Sequence, residues 1–123
     1  MNHKKYIIIT GANGYLSQYF SKHLIKKYNL ILWDIKFDTK FKKNINNLAK
    51  KNSSDLFTMN IDITSRSNIN KAVEIIKKNK IKIYSLINCA GLNPQPNIKN
   101  PDYYKDNKSF IKLWNKELDI SLK

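Results

Sequence analysis

The 123-residue chain is 41% hydrophobic and 26% charged, with 23 Lys+Arg against 9 Asp+Glu and a net charge of +14, a composition that accommodates one modest globular domain and not two. A single cysteine excludes a disulfide framework and a Cys-rich zinc site. No apolar run approaches the roughly 20 residues needed to span a bilayer, and the apolar segment after Lys4-Lys5 falls short of the roughly 7–15 residues of a secretory h-region, so the chain reads as a soluble cytoplasmic protein.

Tyr6-Ile7-Ile8-Ile9-Thr10 is a β-branched apolar run that ends at Gly11 and predicts a buried strand. From Gly14 the spacing turns helical, with Leu16, Phe20 and Leu24 recurring every four residues and Ile25 and Tyr28 extending the stripe. A second buried strand over 29–34 closes on Asp34. The polar stretch 38–52 carries Phe41, Ile45 and Leu48 at helical intervals, and 55–62 reads as a third strand. Ser65 offers an N-cap to a helix whose apolar face is Ile69, Ala72, Val73 and Ile76. A fourth strand over 81–87 runs into Asn88-Cys89-Ala90-Gly91. Residues 92–108 hold all three prolines and predict a long loop, and a last helix starts at Ser109.

Strand–helix alternation of this kind requires crossover connections and a parallel sheet. Near-continuous apolar strands agree, because parallel strands are buried on both faces. The fold class expected is α/β, the N-terminal half of a Rossmann-type doubly wound parallel sheet, occupying residues 1–123 as one nucleotide-binding domain.

The turn Thr10-Gly11-Ala12-Asn13-Gly14-Tyr15-Leu16-Ser17 lies between the first strand and the first helix. Small residues there let backbone N–H groups approach a pyrophosphate at a helix N-terminus. Asp34 follows Gly14 by 20 residues, at the end of the second strand. That is the spacing of the acid that hydrogen-bonds the adenosine ribose hydroxyls of NAD, and an acid there disfavours the extra phosphate of NADP. Lys36 is close enough to soften that preference. Either glycine alone could serve only a tight turn, and Asp34 alone could serve only to solvate a strand end. Their joint spacing favours a dinucleotide.

At this point the sequence resembles the short-chain dehydrogenase/reductase family, and in particular the N-terminal portion of a classical-type member. Thr10-Gly11-x-x-Gly14-x-x-Ser17 resembles the family's cofactor turn, in which Thr10, Gly11, Asn13, Gly14, Tyr15 and Leu16 are the candidate binding residues. Asp62-Ile63 resembles the acid that contacts adenine and the backbone amide beside it. Asn88-Cys89-Ala90-Gly91 resembles the Asn-Asn-Ala-Gly signature that packs beside the cofactor, with Asn88, Ala90 and Gly91 as candidates. The segment from Trp114 to Leu122 resembles the helix that follows.

The resemblance implies an NAD(P)-dependent oxidoreductase that moves hydride between nicotinamide and an alcohol or carbonyl substrate, with a homo-oligomeric full-length form. Ser17 stands where the family usually has its last glycine. Ser121 stands where the family has the Asn of its catalytic tetrad, so Ser121 is the one catalytic candidate. The family's Ser and its helical Tyr-x-x-x-Lys lie beyond Lys123, so the 123 residues are expected to hold the adenosine–pyrophosphate half of a site and to be inactive alone. Tyr104-Lys105-Asp106-Asn107-Lys108 spells the same pattern, but in a Pro- and Asn-rich loop, whereas the pair needs adjacent turns of one helix.

The glycine spacing tilts the expected substrate toward carbohydrate or polysaccharide biosynthesis. It also keeps open a sugar-nucleotide epimerase or dehydratase of the extended branch. A non-catalytic nucleotide-binding remnant is a third reading. The basic charge suggests nucleic acid, but lysine, asparagine and isoleucine make up 57 of the 123 residues and Arg66 is the one arginine. An AT-rich genome raises those three residue types together, so no specific nucleic-acid partner is expected. Cys89 reads as a small core residue, His23 as lying near the packed face of its helix, and Trp33 and Trp114 as core anchors. No His/Cys/carboxylate spacing suggests a metal.

Overall fold

A computed structural model describes residues 2–90 of the chain. They alternate as β1 (Tyr6–Thr10), α1 (Tyr15–Leu24), β2 (Asn29–Asp34), α2 (Thr39–Lys51), β3 (Leu56–Asn60), α3 (Arg66–Lys78) and β4 (Ile83–Asn88). The four strands form one parallel sheet in the order β3-β2-β1-β4. The chain therefore builds outward from β1 in one direction and then crosses to its other side. The reversal falls between β1 and β4, and the carboxyl ends of strands at such a switch point are where open α/β sheets bind ligands.

Successive strand side chains point to opposite faces, and the core divides accordingly. Ile7, Ile9, Leu30 and Leu32 pack with Ile25 and with Phe41, Ile45 and Ala49 of α2. On the other face Ile8, Ile31 and Trp33 pack with Ile61 and with Ala72 and Ile76 of α3. The sheet is thus covered on both faces, as the sequence pattern predicts. Only β1 and β2 are buried over all but one terminal residue, however. β3 is half-buried, and β4 exposes Ile83, Tyr84 and Leu86, because each of these outer strands has a single strand neighbour among the described residues.

Three local expectations are corrected. The stripe that buries α1 is Ser17, Ser21 and then Ile25, while Leu16 is 59% exposed and His23 lies on the solvent side. Two serines at helical spacing let α1 approach the sheet more closely than a leucine face would. The third strand is shorter than residues 55–62. The Asp55 amide donates to Asn29 Oδ1 at its start, and the chain turns at Asp62 beyond its end. The fourth strand starts at Ile83 rather than residue 81, since the Ile81 amide closes the end of α3 on the Ile76 carbonyl after Lys80 takes a left-handed φ of 55°. Cys89 lies just past β4 and is half-buried. Residues 91–123 lie outside the described part, and with them Gly91, Tyr104, Lys108, Trp114 and Ser121.

Candidate cofactor site at the switch point

The chain leaves β1 through a turn that only glycine can begin. Gly11 sits at φ +63°, and a Cβ there would lie 2.7 Å from Ala90 Cα, Ala90 N and the Cys89 carbonyl oxygen. Both the dihedral and the space exclude a side chain. The close approach is fixed from both sides. The Cys89 amide donates to the Thr10 carbonyl at 3.2 Å and the Ala90 amide to Thr10 Oγ1 at 3.3 Å. That hydroxyl in turn donates to Asn88 Oδ1 at 2.5 Å. Thr10, Gly11, Asn88 and Ala90, four separate candidates in the sequence, are therefore one bonded unit at the ends of β1 and β4.

Past Gly11 the turn keeps contact with β2. The Ala12 amide donates to the Trp33 carbonyl at 3.1 Å, and Ala12 is fully buried. The Asn13 amide donates to Asp34 Oδ2 at 2.8 Å, and Asp34 Oδ1 accepts the Ile35 amide at 2.7 Å. Each carboxylate oxygen thus spends one acceptor direction on the backbone and keeps others, since an ionised carboxylate offers about four. Asn13 also accepts the Asp38 amide on Oδ1 at 2.7 Å, and Gln18 Nε2 braces the Asn13 carbonyl at 2.8 Å. Gln18 was not a candidate from the sequence, where nothing separates it from an ordinary polar helix residue.

Helix α1 starts at this turn. Gly14 is its N-cap, with no side-chain cap and no acid in the first turn. The first amides of a helix lack intrahelical acceptors and carry its partial positive charge. A diphosphate would meet both needs. Tyr15 is 95% exposed and Leu16 is exposed beside it, so both stand at the open side of the turn rather than in the core.

The third contribution comes from the end of β3. Asp62 Oδ1 accepts the Thr64 hydroxyl at 2.6 Å and the Thr64 amide at 2.9 Å. These two bonds, the hydroxyl first, hold the Asp62 carboxyl below the usual carboxylate range. The Asp62 amide donates to Asn68 Oδ1 at 3.2 Å, a brace the sequence did not signal. Ile63 is half-buried against Ile8, Trp33 and the α3 face. Among the described residues no group of three or more His, Cys, Asp or Glu could hold a metal ion, and no helix is long and apolar enough to cross a membrane.

Comparison with known proteins agrees with this geometry. A family model described as short chain dehydrogenase matches residues 5–116. Among solved structures, a protein assigned as a D-mannonate oxidoreductase from Haemophilus influenza, with bound NAD, superposes with a TM-score of 0.71 at 22% identity, over 98% of this chain and 48% of that one. A carveol dehydrogenase from Mycobacterium avium in complex with NAD gives 0.70 at 16% identity, over 94% and 43%. An NAD+-bound xylitol dehydrogenase gives 0.65 at 19% identity, over 94% and 42%. The chain spans about half the length of these proteins. No curated protein matches it.

Proposed function

The chain belongs to the short-chain dehydrogenase family, and from that premise we propose that it binds the adenosine–diphosphate half of a nicotinamide dinucleotide as the cofactor-binding portion of an NAD(P)-dependent oxidoreductase. One observation carries the reading. An uncapped helix N-terminus lies beside a carboxylate, Asp34, that the glycine turn itself orients through the Asn13 amide. The amides at the start of α1 would hold the diphosphate, Asp34 would accept the adenosine ribose hydroxyls, and Asp62 with the Ile63 amide would hold the adenine edge. Thr10, Asn88 and Ala90, bonded together where β1 and β4 end, would support the cofactor beside the glycine turn. The bound dinucleotide supplies the hydride chemistry, and the chain's part is to position it.

NAD is the preferred cofactor, because the Asp34 side chain would face the additional phosphate of NADP. The substrate class we propose is a sugar-derived alcohol or carbonyl. The glycine spacing supports it, as do two structural neighbours, the xylitol dehydrogenase and the protein assigned to D-mannonate.

Calorimetric titration of the chain with NAD and NADP tests the reading. NAD binds more tightly, and Asp34→Ala weakens NAD at least tenfold, the size expected for losing charge-assisted hydrogen bonds of about 1.5–3 kcal/mol. Asp34→Asn retains an acceptor for the Asn13 amide and serves as the control for the shape of the turn. Equal NAD affinity in all three proteins, or tighter binding of NADP, overturns it.

A further inference from the structure

The opposite end of the sheet carries a second concavity, of about 1010 Å³, that the cofactor site does not use. Its wall is made by the residues that enter the strands. Lys4 and Lys5 lead into β1, Asp55 precedes β3, and Lys80, Lys82 and Tyr84 come from the α3–β4 connection and the start of β4. It lies about one strand length from the glycine turn, roughly 16 Å for a five-residue strand.

Its charge is one-sided among the described residues. Four lysines and His3 line it there against a single carboxylate, Asp55, and that carboxylate already accepts the Tyr6 hydroxyl at 2.5 Å. Burial first, and then Asp55, push the Tyr6 hydroxyl up to about 12, so the phenol keeps its proton near neutral pH. Lys4 is committed to the Asn52 carbonyl and to Ser54 Oγ. Lys5 has its ammonium 4.2 Å from the centre of the Tyr84 ring, which positions it by a cation–π contact.

Lys80 stands at φ 55°, after the C-terminus of α3, where glycine or asparagine is the unstrained choice. The partial negative charge of that helix end opposes an anion, but it amounts to only about half a unit. Its last carbonyls are also partly satisfied by the Asn79, Lys80 and Ile81 amides.

From this grouping we propose that the concavity at the amino ends of the strands is a second site, for a small multiply phosphorylated anion, held by Lys5, Lys80 and Lys82. Lysine ammonium groups bind phosphate as point charges. The concavity is also wider than one phosphate needs, so several phosphoryl groups can be engaged at once. The site is separate from the dinucleotide site and does not depend on it.

Inorganic triphosphate, titrated calorimetrically into the full chain at fixed ionic strength, is the probe. Lys5→Gln/Lys82→Gln should weaken binding at least tenfold, and Lys42→Gln/Lys43→Gln, which removes the same charge from α2, should change it less than twofold. Lys80→Gly should weaken triphosphate binding while raising Tm, because it relieves the left-handed strain. A lysine that served only to complement the helix end would lower Tm when lost. A short single-stranded oligonucleotide in place of triphosphate separates a nucleic-acid backbone from a free polyphosphate, and the proposal requires triphosphate to compete it off. Equal weakening by both lysine pairs, or triphosphate binding that only the glycine-turn variants disturb, overturns the proposal.

Discussion

Gly11 and Asp62 show how much of the candidate site rests on single residues. At Gly11 a methyl group would face both a positive φ and three backbone atoms at 2.7 Å. A non-glycine residue held at such a φ costs of order 1–3 kcal/mol, and forcing a methyl into packed backbone typically costs another 1–3 kcal/mol. Gly11→Ala is therefore expected to lower unfolding free energy by at least about 2 kcal/mol in urea titration and to abolish NAD binding. A variant as stable as the parent would mean that Cys89 and Ala90, just past β4, do not press on the turn.

At Asp62 the folded carboxyl titrates below its ordinary value of about 3.9. The sign follows from that direction. Its contribution to stability is present above about pH 3.9 and is lost as pH falls through the lowered value. Thr64→Val removes the hydroxyl bond and leaves the amide bond. The Asp62 carboxyl should then titrate closer to its ordinary value, as read from its side-chain carbon resonance, and an unchanged titration would contradict the assignment of cause.

Helices α1 and α3 carry two serines whose removal should act in opposite directions. Ser65 caps α3 by accepting the Asn68 amide at 3.2 Å, and Ser65→Ala should cost about 1 kcal/mol, the usual loss for such a cap. Ser21 is fully buried in α1, and its hydroxyl has no partner among the described residues. Ser21→Ala removes an unmet polar group and improves helix propensity, so it should stabilise by about 1 kcal/mol. Thermal melts of the two variants check both signs.

The Ser65 cap was legible in the sequence because a cap is a local event. The burial of Ser17 and Ser21 was not, because the 16–20–24 apolar spacing outweighed two small polar residues whose value lies in the distance between helix and sheet. The same division holds for the candidate site. The positions of Gly11, Gly14 and Asp34 follow from strand, turn and spacing. The bracing by Gln18, Asn68 and the Thr10–Asn88 pair joins residues 5 to 78 positions apart, and no local pattern encodes it.

For the whole molecule, the strand order β3-β2-β1-β4 explains why cofactor candidates scattered from Thr10 to Ala90 converge. Parallel strands put every carboxyl end on one side, and the reversal between β1 and β4 opens the crevice there. The same parallelism gathers the lysines that enter the strands at the other end, so one sheet offers two chemically different rims. The net charge of +14 adds a general attraction for anions, which weakens with salt and must be separated from site-specific binding.

The most direct test of the central claim is a two-dimensional amide spectrum of the chain titrated with ADP-ribose at physiological salt. Binding at the glycine turn gives saturable shifts concentrated at residues 10–16, 34–35, 62–64 and 88–90, with Gly11 and Asn13 among the largest. Shifts spread over the surface lysines, or none at the glycine turn, would contradict it.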